Sequence, residues 1–285
     1  MKKIITGLSL LFSFSVFAAH PNNVPLSDTT KPFIIGKIEK LHSKILGEDR
    51  TLNIYLPEGY NQNDTVKYPV IFLLDGSADE DFLHIVGLVQ FCSFAWVDQL
   101  PKSIVVGIAN VDRRRDFTFP SAVPSDKKMS PTSGHSKEFI NFLQSELIPH
   151  IENKYKVNGS RTLIGESLGG LLATEIVLQQ PTLFNKYIIV SPSLWWDNGS
   201  ILDRQTGALA SFNHPIDIYI AVGKEGLTPA PTPRVMEVDA NILADKLTAA
   251  HNKSLNIIFD YLPGENHGTI MHQAVLNAFR LIGKK

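Results

Sequence analysis

The stretch Arg161-Thr162-Leu163-Ile164-Gly165-Glu166-Ser167-Leu168-Gly169-Gly170 changes character in its middle. Its first four residues read as a short strand and Leu168 to Leu178 reads as a helix, so Ser167 falls on the turn between them. A serine hydroxyl is a weak nucleophile at neutral pH. It needs a base and an exposed position, and a sharp strand-to-helix turn supplies the exposure. Gly165 and Gly169 fit that geometry, because such a turn brings neighbouring backbone too close for a Cβ. The Gly-x-Ser-x-Gly pattern alone arises by chance roughly 0.1 times in a chain of this length, so the weight rests on its placement between strand and helix.

The flanking sequence alternates strand and helix. Tyr68 to Leu74 (YPVIFLL) and Ser103 to Ile108 (SIVVGI) are continuous apolar runs of strand length, as expected of central strands buried on both faces. Phe139, Phe142, Leu143, Leu147, Ile151 and Tyr155 recur at helical spacing between Ser136 and Tyr155. Downstream come strand Lys186 to Val190, strand Ile216 to Val222, helix Val238 to Ala250, strand Leu255 to Tyr261 and helix Thr269 to Leu281. At the start, Ile38 to Ile45 and Thr51 to Leu56 flank the turn residues Gly47-Glu48-Asp49 and read as an antiparallel hairpin at a sheet edge. The order predicts an α/β fold: a mainly parallel, doubly wound sheet with an antiparallel N-terminal hairpin. Ligands bind beyond the carboxyl ends of the strands in such sheets, so functional residues should sit just after strands.

Where a nucleophile stands on such a turn, the acid and the histidine follow it in chain order. Of the four downstream histidines, His214 precedes a strand, His251 follows a helix and His272 lies within one. His267 lies in a loop after a strand, in Pro263-Gly264-Glu265-Asn266-His267-Gly268, and is the candidate base. The acid should emerge after the strand Ile216 to Val222, to hold the imidazole tautomer and stabilise the imidazolium. Glu225 is the first carboxylate there, Glu237 and Asp239 are later candidates, and Glu225 also reads as a surface turn residue. Developing negative charge on a carbonyl oxygen calls for two N–H donors. Leu168, after the nucleophile, is one candidate, and Ser77, in Asp75-Gly76-Ser77, is the other.

The 285 residues are 44% hydrophobic and 19% charged, enough apolar material for a sizeable core. A formal net charge of -1 provides no overall field toward nucleic acid or an anionic membrane, so no nucleic-acid partner is expected. Lys2 and Lys3, an apolar run from Ile4 to Phe17, and Ala18-Ala19 read as an export signal cleaved after Ala18, too short to span a bilayer as a helix. The expected organisation is a signal peptide at 1–18, a Pro/Asn/Ser/Thr-rich flexible tail at 19–32 and one domain at 33–285, exported to the periplasm or beyond, with no integral membrane segment after cleavage. Cys92 is the single cysteine, which excludes an intramolecular disulfide and points to core packing.

With these residues in place, the chain resembles the esterase branch of the α/β-hydrolase fold that includes esterase D, feruloyl esterases, mycolyltransferases and bacterial siderophore esterases. Matching segments are YPVIFLLDG at 68–76, VVGIANVDRRRDFT at 105–118, KEFINFLQSELIPHIENKY at 137–155 and SPSLWWDN at 191–198. The resemblance implies hydrolysis of a small-molecule carboxylic ester through an acyl-enzyme, with no metal or organic cofactor, and it supports Ser167 and His267 by direct match. One residue separates Gly223 from Glu225 where relatives often have two. Trp195 and Trp196 are candidates to line an aromatic site, or to pack a cap loop. Arg113 and Arg115 are candidates for an anionic substrate such as a ferric catecholate, or partners of the flanking Asp112 and Asp116. Two other readings stay open: acyl transfer by the same serine, and a non-catalytic binding protein that keeps the fold.

Overall fold

In the computed structural model, which describes residues 31–210 and 212–284, the chain forms eight strands. They are β1 (Lys37–Ser43), β2 (Glu48–Tyr55), β3 (Tyr68–Leu73), β4 (Ile104–Ile108), β5 (Val157–Glu166), β6 (Lys186–Val190), β7 (Ile216–Gly223) and β8 (Leu255–Leu262). One sheet holds them in the order β1-β2-β4-β3-β5-β6-β7-β8. β1 pairs antiparallel with β2 and β2 antiparallel with β4, and every later pair is parallel. The predicted signal at 1–18 and the tail up to residue 30 lie outside the described residues. Ile35–Lys285 is one compact unit.

The apolar strands are two-sided, and alternation decides which layer each residue enters. Val70, Phe72, Val106, Leu163, Ile189, Ile218 and Ile220 face one apolar layer. Ile71, Leu73, Val105, Ile164, Ile188, Val190, Tyr219 and Ala221 face the other. The helices are α1 (Phe82–Cys92), α2 (Arg113–Phe117), α3 (Pro124–Met129), α4 (Ser136–Phe142), α5 (Ile148–Lys154), α6 (Leu168–Gln179), α7 (Met236–Thr248) and α8 (Ile270–Ile282). α4, α5, α6 and α7 cover the first layer, and α1 and α8 cover the second. A π turn, Leu143–Leu147, joins α4 to α5 just before Pro149, whose ring and missing N–H disfavour a regular α turn there.

α1 is an addition to the sequence expectation. It buries Phe82, Ile85, Val86, Leu88, Val89 and Cys92, while Leu83 and Phe91 on its outer face are exposed. Apolar residues on both faces blur the helical period that would have marked it. Among the described residues no helix is long and apolar enough to cross a membrane.

Candidate active site

β5 ends at Glu166 and α6 begins at Leu168, which leaves Ser167 alone to turn the chain. Its backbone adopts φ 57°, ψ -116°, a strained conformation for a residue with a Cβ. Hydrogen bonds on both sides hold it: its N–H donates to the Val190 carbonyl at 3.0 Å, and its own carbonyl accepts from Leu171 at 3.0 Å and Ser193 at 2.9 Å. Gly165 is needed beside it, since a Cβ there would stand 2.6 Å from the backbone of Gly169.

The three segments that follow β5, β7 and β8 meet at this turn. Ser167 Oγ lies 3.1 Å from His267 Nε2, and His267 Nδ1 lies 2.6 Å from Glu225 Oε2. Glu225 is nearly buried, with 4% of its side chain exposed, whereas His267 is half open at 47%. Burial pushes the Glu225 carboxyl up. The hydrogen bonds from His267 and Ser191, the His267 charge and the Gly223 N–H outweigh that and hold it below the usual carboxylate range. The Glu225 hydrogen bond raises His267 above the ordinary imidazole value, against the opposing effect of burial. An ionised Glu225 can only accept, so Nδ1 carries the proton and Nε2 presents a lone pair to Ser167.

Glu225 is itself held in place. Oε1 accepts from the Ser191 hydroxyl and, at 3.2 Å, from the Gly223 N–H. Glu237, on α7, accepts the backbone N–H groups of Glu225 at 2.9 Å and Gly226 at 3.0 Å. Asp239 pairs instead with Arg234 at 2.8 Å. Of the three carboxylates considered after β7, Glu225 is the one that meets His267.

The loop after β3 packs against the start of α6, where a Cβ on Gly169 would stand 3.4–3.5 Å from Leu74 and Asp75, an ordinary contact, so the close approach expected of both glycines is made by Gly165. Gly76 donates its N–H to the Ile108 carbonyl at 3.0 Å, which leaves Ser77 as the next donor along the loop. Neither the Ser77 nor the Leu168 N–H has an acceptor among the described residues. Asp75 braces this loop: Arg113 grips it with two hydrogen bonds of 2.7 and 2.8 Å, and Asn110 adds a third at 2.6 Å. Arg113 Nη2 also lies 3.3 Å from the Glu166 carbonyl, so this arginine ties the loop to the turn before Ser167. Glu166 is pushed up to about 7, chiefly by burial and then by the Asp81 charge, against the attraction of His267.

Two sequence expectations change. Trp196 is 1% exposed, and its indole N–H donates to the Phe119 carbonyl at 2.8 Å, so it belongs to the core and lines no open surface. Its neighbour Trp195 is half-buried and packs against that core. Arg115 Nε, Nη1 and Nη2 each already donate to a carboxylate, Asp116 (2.8 Å) or Glu48 (2.9 and 2.5 Å), so its charge is paired within the fold and it is not the anion-binding residue expected. Ser191 and Ser193 join the site without having been expected, and Glu237, a candidate acid, joins it as a support of the Glu225 loop. An open groove of about 580 Å³ bordered by Asn158, Ser160, Lys186 and Asp217 lies at the amino ends of the strands, opposite these residues.

Residues 43–264 match the family described as "Putative esterase". The chain belongs to that family. Ferri-bacillibactin esterase BesA of Bacillus subtilis is 29% identical over 88% of this chain and 91% of its own length. The crystal structure of an IroE-like serine hydrolase from Shewanella oneidensis superposes with a TM-score of 0.75 at 32% identity, covering 86% of this chain and 79% of that one. The BES protein from Bacillus cereus superposes at 0.77 with 27% identity, over 92% and 100%. This esterase therefore carries the α/β-hydrolase fold and is a serine-dependent carboxylic ester hydrolase acting on a small-molecule ester.

Proposed function

We propose that Ser167, His267 and Glu225 form the catalytic triad of an exported esterase whose substrate is a siderophore lactone. The continuous hydrogen-bonded line from Ser167 Oγ through the imidazole to Glu225 carries the reading. Ser167 Oγ attacks the ester carbonyl carbon while its proton passes to His267 Nε2. The Leu168 and Ser77 N–H groups receive the oxyanion. The carbon–alkoxy bond then breaks as His267 returns the proton to the departing alcohol. Water attacks the acyl-enzyme, giving a proton to His267, and Ser167 leaves with that proton restored.

The siderophore assignment draws on BesA, named as a ferri-bacillibactin esterase and aligned over most of both chains. Trp195, half-buried two residues beyond Ser193, offers an aromatic face for a catechol. Export draws on the basic start and apolar run at 1–18. Hydrolysis is favoured over acyl transfer because His267 is half open to water, whereas transfer needs water kept out.

Purified mature chain assayed against short p-nitrophenyl esters and catecholate trilactones tests both levels. Turnover that survives Ser167→Ala overturns the triad. Trilactone cleavage no faster than that of simple esters overturns the siderophore assignment.

A further inference from the structure

β6 points at the site as well, and Ser191 and Ser193 follow it. Ser191 donates to the far oxygen of Glu225. Ser193, 2% exposed, places its Oγ 3.2 Å from Ser167 Oγ, and that is its side chain's one hydrogen-bond partner among the described residues. The attachment is rigid. Ser193 N–H donates to the Ser167 carbonyl at 2.9 Å, Ser167 N–H to the Val190 carbonyl at 3.0 Å, and Ser191 N–H to the Ala221 carbonyl at 2.7 Å. The backbones of the two serines are therefore fixed relative to each other, and only rotation about χ1 can part their hydroxyls, which the contact between the two Oγ atoms opposes.

Proton accounting gives the direction of this hydrogen bond. Glu225 accepts from Nδ1 of His267, so Nε2 accepts the one proton of Ser167. Ser167 then has nothing left to donate, and Ser193 must be the donor. Four directions surround Ser167 Oγ: the bond to Cβ, the O–H toward His267, one lone pair held by Ser193, and one lone pair left over. Only the last is free to meet a carbonyl carbon.

We propose that Ser193 is a positioning residue for the nucleophile. Its hydroxyl fixes the rotamer of Ser167 so that the remaining lone pair faces the ester, and it donates to Oγ again when the acyl-enzyme is cleaved. In that second step the carbon–Oγ bond breaks, its electron pair moves onto Oγ, and His267 delivers the proton taken from water. A donor already in place stabilises the charge that develops on Oγ before the proton arrives. The inference rests on the triad proposed above.

Both effects act on the chemical steps, so they should appear in kcat and leave KM alone. Ser193→Ala, assayed with p-nitrophenyl acetate, is expected to lose about tenfold in kcat with KM within about twofold, as for one hydrogen bond to a partly charged atom. Ser193→Thr, which keeps the hydroxyl, is expected to recover most of that loss. A kcat for Ser193→Ala within about twofold of wild type, a loss confined to KM, or a threonine variant as slow as alanine would each overturn the proposal. If alanine fails to fold, as judged by thermal unfolding, Ser193→Cys replaces it. The thiol is a weak donor of similar size, so it should be about tenfold slower than threonine, and equal rates overturn the proposal. Ser167→Ala run in parallel separates the two levels. If it stays active the triad itself falls, whereas an inactive Ser167→Ala beside a fully active Ser193→Ala removes only the role of Ser193.

Discussion

Glu225 and His267 stand 42 residues apart in the chain, yet Oε2 of the first meets Nδ1 of the second at 2.6 Å. The carboxylate has a partner for each oxygen, so its charge is set on the imidazole from a fixed position. Glu225→Gln keeps the shape and removes the charge. Its amide can also donate, which favours the wrong imidazole tautomer. We expect kcat to fall by about 10² to 10⁴ in a folded protein. Glu237→Gln should cost much less, since among the described residues that carboxylate bonds only backbone N–H groups of the loop. Equal losses in the two variants would remove Glu225 from the acid role.

The pH profile follows from the direction of the His267 shift. The imidazole must be neutral to take the proton of Ser167, and its hydrogen bond with Glu225 keeps it protonated to a higher pH than a free histidine. The acid limb of kcat/KM should therefore lie above 6.5, the ordinary histidine value. Glu166, itself pushed up to about 7 and so partly ionised over this range, contributes in the same sense through the fraction that carries charge. Glu166→Gln should move the limb to lower pH, and a limb that stays in place or rises would show that Glu166 does not act on His267.

The two adjacent tryptophans should separate in stability measurements. Trp196 is almost fully enclosed and its N–H is satisfied, so Trp196→Ala should cost about 3–5 kcal/mol in urea unfolding. Trp195→Ala should cost clearly less and act on turnover of aromatic esters instead. The reverse order would contradict the placement of both.

Gly76 tests the loop that carries Ser77. A Cβ there would lie 2.3 Å from Gly107 Cα and 2.5 Å from Ile108 N, both backbone atoms that cannot swing aside. Gly76→Ala should therefore destabilise by about 1–3 kcal/mol and lower kcat by displacing the loop. Gly47→Ala is the control: φ is +68° there but nothing lies within 4 Å, so about 1–2 kcal/mol of backbone strain should leave kcat unchanged. Loss of activity in both would argue for general destabilisation.

The centre of the sheet was legible because strands buried on both faces must be apolar throughout, as in YPVIFL and IVVGI. The residues after β5, β7 and β8 were legible too, since a parallel sheet brings its carboxyl ends to one edge. What escaped depended on the paths of loops. Trp195 and Trp196 differ by one residue and take opposite environments, because the chain beyond them turns through three positive-φ residues, Asp197, Asn198 and Gly199. Arg115 is neutralised by Glu48, 67 residues away on β2, and no local pattern announces that partner. Ser191 and Ser193 carried one signal, their position just after a strand, and serine is too common for that to stand out.

β5, β6, β7 and β8 are neighbours in the sheet in the same order in which they occur in the chain. Ser167, the Ser191–Ser193 pair, Glu225 and His267 each follow one of them in turn. During synthesis the parts of the site are thus laid down in their final left-to-right sequence, each beside the one made before it. The last is His267, immediately ahead of α8, which seals the second apolar layer. Ester cleavage by a nascent or refolding chain would therefore act as a completion signal, absent until the final strand has docked.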